Sequence, residues 1–203
     1  LYQLHNKGGE LKQKFTSLLI HQNTLFAATA NNGLYTLNIS EKGSKLTSLL
    51  LQQQLQNSIV QSLCIDQDQQ LWIATNNLGV LTYNIKTKQT SSYQIGSKNA
   101  LNSNCVFSVF NFNEKYIWLG TDNGLNILDK QSGAIELVQN EESKPNSLSN
   151  NVVKDIYKDQ SGTIWLATFG GLNKFNNKPN SFARFQYSPE NRKGINGNKV
   201  NCI

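Results

Sequence analysis

The chain is short of the residues that most chemistry needs. It has no methionine, three prolines, three cysteines and two histidines in 203 residues. Two histidines, His5 and His21, with no second ligand at zinc-like spacing, argue against a metal centre. Cys64, Cys105 and Cys202 are odd in number and form no C-x-x-C pair, so neither a disulfide framework nor a zinc ribbon is expected. Cys64 and Cys202 stand beside Leu63, Ile65 and Ile203 and read as small buried hydrophobes. No apolar run reaches the roughly 18–20 residues that span a bilayer. The net charge is +6, yet the lysines are scattered and Arg184 and Arg192 are the only arginines. Arginine supplies bidentate recognition of bases and phosphates, so nucleic acid is not an expected partner.

Catalytic phrases are missing as well. There is no G-x-S-x-G elbow and no phosphate-binding loop. Glu141-Glu142 falls in a polar connector. Asp66-Gln67-Asp68 echoes a calcium loop but lacks its glycine and has Asn77 where the bidentate Glu belongs. Asp66 lies six residues before Trp72, as Asp159 does before Trp165, which marks a reused turn position. No catalytic residue, metal or cofactor is therefore expected.

What the chain does have is one phrase written four times. Leu25-Phe26-Ala27-Ala28-Thr29, Leu71-Trp72-Ile73-Ala74-Thr75, Ile117-Trp118-Leu119-Gly120-Thr121 and Ile164-Trp165-Leu166-Ala167-Thr168 recur at spacings of 46, 46 and 47 residues. Each is followed by a glycine (Gly33, Gly79, Gly124, Gly171), an apolar residue and, four residues past the glycine, a large apolar side chain. A leader of the form Leu-x-x-x-x-Val precedes the last three copies at Leu55, Leu101 and Leu148, and another runs from Ile195 to Val200. A period of this size marks an array of identical units.

The units are β. The phrases are short apolar runs bounded by Asn, Asp and Gly, rich in aromatic and β-branched residues. Asn31-Asn32-Gly33 and Asp122-Asn123-Gly124 supply the positive φ that tight hairpins need. Four strands are expected per unit, in the fourth copy Val152–Tyr157, Thr163–Thr168, Leu172–Asn176 and Phe182–Tyr187. Such a unit is a propeller blade. The fold expected is all-β: a β-propeller of about four to five four-stranded antiparallel blades, part of a larger ring. Its boundaries are a partial blade at 1–14, blades at about 15–51, 59–95, 105–139 and 152–187, and the start of another at 199–203. Leu1-Tyr2-Gln3-Leu4-His5 aligns with the third strand at Leu34–Asn38. The missing methionine agrees with a segment of something longer, and self-association or further blades are expected to cover its ends.

Recurrent positions read as scaffold. Trp72, Trp118 and Trp165 fill the space between blades. Thr29, Thr75, Thr121 and Thr168 tie the second strand to its turn. Binding residues concentrate on loops, and the loop entering each first strand shares a face with the turn between strands two and three. Those loops carry Asn76, Asn77, Asn104, Asp122, Asn123, Asn151, Phe169 and Asn198. Amides with an occasional aromatic suit an oligosaccharide or other small polar ligand; Asn is also a common turn residue beside Gly.

In the fourth copy, Asn146 to Val153, Asp159 to Thr168 and Gly171 to Asn176 resemble the two-component regulator propeller repeat, and the second and third copies match in most slots. The first departs, with Phe26 for Trp and no leader. The resemblance implies a non-enzymatic, periplasmic sensor region of an inner-membrane signalling protein. A membrane span and a histidine kinase or diguanylate cyclase output would lie outside this segment, and the signal would often be a glycan fragment. The alternatives are a protein-interaction scaffold and a propeller lyase or hydrolase. The first would carry Gly-His and Trp-Asp dipeptides, which are absent, and the second would cluster His and acidic residues on the loop face.

Overall fold

The computed structural model describes residues 5–6, 9–10, 14–49, 51, 53–97, 100–176, 181–190 and 194–203. A two-residue ladder joins β1 (His5–Asn6) to β2 (Gly9–Glu10). The rest of the expected partial blade, with Leu1 to Leu4, lies outside the described residues. Four sheets follow, each an antiparallel meander of four strands. The first holds β3 (Phe15–His21), β4 (Thr24–Thr29), β5 (Leu34–Asn38) and β6 (Thr47–Ser48). The second holds β7 (Val60–Ile65), β8 (Gln70–Thr75), β9 (Val80–Asn84) and β10 (Thr90–Tyr93). The third holds β11 (Val106–Asn111), β12 (Tyr116–Thr121), β13 (Gly124–Asp129) and β14 (Ile135–Val138). The fourth holds β15 (Val153–Lys158), β16 (Ile164–Thr168), β17 (Gly171–Asn176) and β18 (Ser181–Phe185). No helix occurs among the described residues, and none is long and apolar enough to cross a membrane.

The strands close where the chain supplies turn chemistry. Gly79 and Gly171 sit at φ of 67° and 129°. A Cβ at either would run into the carbonyl oxygen of the outer strand, of Tyr93 or of Phe185. Only glycine meets both demands, which is why the residue recurs in each copy.

The innermost strands β3, β7, β11 and β15 stand side by side, each packed on the next. The apolar cores lie between sheets. Leu55, Val60 and Tyr83 pack with Phe26 across the first interface, Val106 and Ile117 with Trp72 across the second, and Ile164 and Phe182 with Trp118 across the third. Phe112 stacks on Trp118 at 4.6 Å and 6°, while Phe175 of the fourth sheet meets its edge at 4.9 Å and 88°. An indole of this size buries 150–250 Å², on the order of 4–6 kcal/mol of apolar burial at about 25 cal/mol per Å².

The sheets form an open arc of a β-propeller. The outer faces of its end sheets lack a covering blade among the described residues: Leu18 and Ile20 of β3 are each 64% exposed, and Tyr157 and Phe185 are exposed on the last sheet. Trp165 is half-buried for the same reason, whereas Trp72 and Trp118 are buried. Residues 199–203, expected to open another blade, form no strand. An inner strand pairs with the second strand of its own blade, and the described residues hold no such partner for it.

Candidate functional site

Each turn between strands two and three is built on its threonine. The hydroxyls of Thr29, Thr75, Thr121 and Thr168 donate to the carbonyls of Gly33, Gly79, Gly124 and Gly171 at 2.7–2.9 Å. They also accept from the amides of Asn32, Leu78, Asn123 and Gly170. All four threonines are buried. The local bond expected of them is present, and it fixes the turn as a rigid platform.

The leader of the next blade is stitched to that platform. The Gly79 amide donates to the Asn104 carbonyl at 2.8 Å and the Gly124 amide to the Asn151 carbonyl at 2.6 Å. Leaders and turns therefore share one face of the arc. On that face the side-chain oxygens of Asn104, Asn151 and Asn198 occupy equivalent places. They accept from the amides of Ile95, Asn140 and Tyr187, where each preceding outer strand ends. Asn76 accepts from the Ile59 amide at 2.7 Å. Asn77, Asp122, Asn123 and Phe169 are exposed at the turns, and the Gln139 side chain donates to Asn123. The eight residues expected from the sequence are thus brought to one face, four of them with carbonyl oxygens committed to the scaffold.

The same face carries a feature the sequence did not announce. In every sheet the register between the first two strands slips by one residue just after the strand begins, leaving Thr16, Gln61, Phe107 and Lys154 unpaired in bulges. A bulge re-aims its side chain and recurs beside binding sites. Because the inner strands are neighbours, the bulged residues form a row around the inside of the arc. Two of them touch: the Lys154 ammonium lies 3.3 Å above the centre of the Phe107 ring. Phe169 stands 5.8 Å from the same ammonium, and Lys199 lies 4.6 Å over Phe169. Burial holds the Lys154 pKa below the usual lysine value, and the nearby Lys199 charge adds to this while Cys105 opposes it. Burial pushes the Cys105 thiol up, with Asp122 adding to the effect. Phe107, Lys154 and Lys199 were missed in the sequence. For Phe107 and Lys154 the signal was the residue after each leader valine, which changes from copy to copy as Gln61, Phe107 and Lys154.

The opposite end of each blade carries the aspartate turn. Asp66 accepts from the amides of Asp68 and Gln70 and from the Trp72 indole at 2.9 Å. Asp159 accepts from Ser161, Thr163 and the Trp165 indole at 2.8 Å. This is the turn role expected of Asp66-Gln67-Asp68. No group of three or more His, Cys, Asp or Glu is placed to hold a metal among the described residues.

Fold and face together define a propeller arc with a rigid loop face and a row of variable bulge residues. Residues 54–77 and 147–170 match the family model of the two component regulator propeller. No curated protein matches. Among solved structures the arc is similar to the extracellular domain of a candidate one component system from B. thetaiotaomicron. That likeness has a TM-score of 0.73 at 20% identity over 98% of this chain and 26% of that one. It is also similar to the extracellular domain of a candidate hybrid two component system from the same organism, with a TM-score of 0.71 at 20% identity over 89% and 24%. A third likeness, to virginiamycin B lyase from Staphylococcus aureus, has a TM-score of 0.62 at 12% identity over 87% and 56%. These likenesses establish the fold. The chain spans about a quarter of the length of the two extracellular domains.

Proposed function

We propose that this chain is a ligand-sensing section of the extracytoplasmic propeller of a membrane-anchored bacterial signalling receptor. It binds a carbohydrate or other small polar molecule and has no catalysis of its own. The observation that carries this reading is the row of bulge residues and exposed turn residues on one rigid face, because the scaffold repeats while these positions vary. Asn77, Asp122, Asn123 and Phe169 reach the ligand, and Asn76, Asn104, Asn151 and Asn198 hold the loops that present them. The likeness to extracellular domains of signalling systems supports a periplasmic placement, with the anchor and a histidine kinase or diguanylate cyclase output in other parts of the protein.

Further blades of the same protein or a second copy cover the apolar faces around Leu18 and Ile20 and around Tyr157 and Phe185. Signalling then follows from packing: a ligand shifts an equilibrium only through differential affinity for two arrangements. The rigid blades leave contacts between domains and subunits as the part that moves. A thermal-shift screen of oligosaccharides on the full-length protein tests the reading. A ligand at 100 times its Kd stabilises by about 2.7 kcal/mol, which raises the unfolding midpoint. A screen in which no saccharide or small polar compound raises the midpoint would contradict it.

A further inference from the structure

We propose that the ammonium groups of Lys154 and Lys199, set against the rings of Phe107 and Phe169, form a subsite for an oxyanion carried on a sugar ring, either a carboxylate or a sulfate ester. The inference rests on the carbohydrate reading above and assigns the charge of its ligand.

Lys154 and Lys199 stand apart from the lysines that pair with carboxylates. Lys130 lies within 4 Å of Asp66 and Asp68, Lys115 of Asp129 and Lys144 of Glu141. Among the described residues no carboxylate comes that close to Lys154 or Lys199. Asp122, which shares Cys105 as a neighbour with Lys154, is not within ion-pair distance of either. Lys154 is nevertheless half-buried. Its charge is met by the negative faces of aromatic rings, which offer about 0.5–2 kcal/mol and no hydrogen-bond acceptor. Among the described residues nothing accepts from its ammonium, whose donors are open to a ligand. Lys199 shares the Phe169 ring from the leader beyond the fourth sheet, so two like charges converge on one ring. An oxyanion placed between them accepts from both ammoniums and relieves their repulsion through charge-assisted hydrogen bonds. Phe169, 36% exposed, offers the apolar surface on which a pyranose ring can stack. The subsite also lies on bulge and turn positions, the part of the blade free to vary without disturbing the cores.

The test is isothermal titration of the full-length protein with saccharides in matched charged and neutral forms, at 50 mM and 300 mM salt. The probes are oligogalacturonate and its methyl ester, oligoglucuronate and its methyl ester, and galactose 6-sulfate against galactose. The expected result is binding of a charged form at least tenfold tighter than its neutral partner, weakened by salt. Which arm binds identifies carboxylate or sulfate. Lys154→Met and Lys199→Met abolish the preference, and Lys154→Arg keeps most of it. The ester comparison needs no variant, and Lys199 is exposed, so a folding defect in Lys154→Met leaves the test intact. Equal binding of charged and neutral forms overturns the subsite and leaves the carbohydrate reading standing. Failure of every saccharide to bind overturns both.

Discussion

The second and fourth blades carry the same aspartate–tryptophan turn in different surroundings. In the second, the third blade covers the turn: Lys130 reaches across to Asp66 at 3.4 Å, and Trp72 is buried and stacked on Tyr93 at 5.8 Å. In the fourth, Asp159 makes the same bond to Trp165, yet no blade among the described residues lies over it, and Lys174 of the same sheet sits 5.8 Å over the indole. The local phrase determines the turn. What the turn is worth depends on the neighbour, because a polar group is expensive to orphan only where water cannot replace its partner.

Removing the aspartate breaks this comparison most directly. Asp66→Ala strands the Trp72 indole and two turn amides and leaves the largely covered Lys130 ammonium only the longer contact to Asp68 at 3.9 Å. It should cost about 3 kcal/mol in urea unfolding. In this 203-residue segment, where solvent reaches the partners of Asp159, Asp159→Ala should cost a small part of that. Equal losses would mean that the inter-blade cover contributes nothing.

A smaller effect separates the third blade from the other three. Gly120 occupies the slot held by Ala28, Ala74 and Ala167. Its Cβ would collide with the Ser108 hydroxyl and lie 2.9 Å from Val153 of the next blade. The equivalent hydroxyl in the second blade, on Ser62, accepts from the Val109 amide at 3.3 Å, whereas Ser108 Oγ is buried with no protein partner. Gly120→Ala, although it restores the majority residue, should destabilise by about 1–3 kcal/mol through overpacking. A neutral or stabilising result in thermal unfolding would contradict this packing account.

The smallest effect is one of pH. Hydrogen bonds from the Ser161 hydroxyl, the Trp165 indole and the turn amides hold the Asp159 carboxyl at about 2, below its ordinary value of 3.8. Its folded pKa is depressed, so its contribution is present above the unfolded pKa and is lost as pH falls through about 2. The stability difference between the wild type and Asp159→Asn should be flat from pH 5 to 8 and shrink toward pH 2. A difference unchanged at pH 2 would mean that the charge plays no part.

Much of the arc was legible because a blade is coded locally. In the fourth copy the strands end within two residues of the expected bounds, and the threonine turns follow from Thr and Gly at fixed offsets. The loop face was legible from the leaders. The lysine and phenylalanine cluster was not, since a bulge is a property of register between two strands and Phe107 looks like any other residue of an apolar run. Lys199 was hidden for another reason: it lies in a leader and meets Phe169 only through the fold. The asparagines recur partly because three of them hold outer-strand amides, a scaffold role that composition alone does not separate from binding. Trp165 carries the same local phrase as Trp72 and differs only in what lies above it.

Hydrogen–deuterium exchange of the full-length protein, with and without a saturating saccharide, tests the central claim most directly: that the inner bulges and turns of the arc are the binding face. The account predicts protection in peptides covering 104–108, 151–155 and 168–171, with the outer strands β10, β14 and β18 unchanged. Protection confined to those outer strands would contradict it.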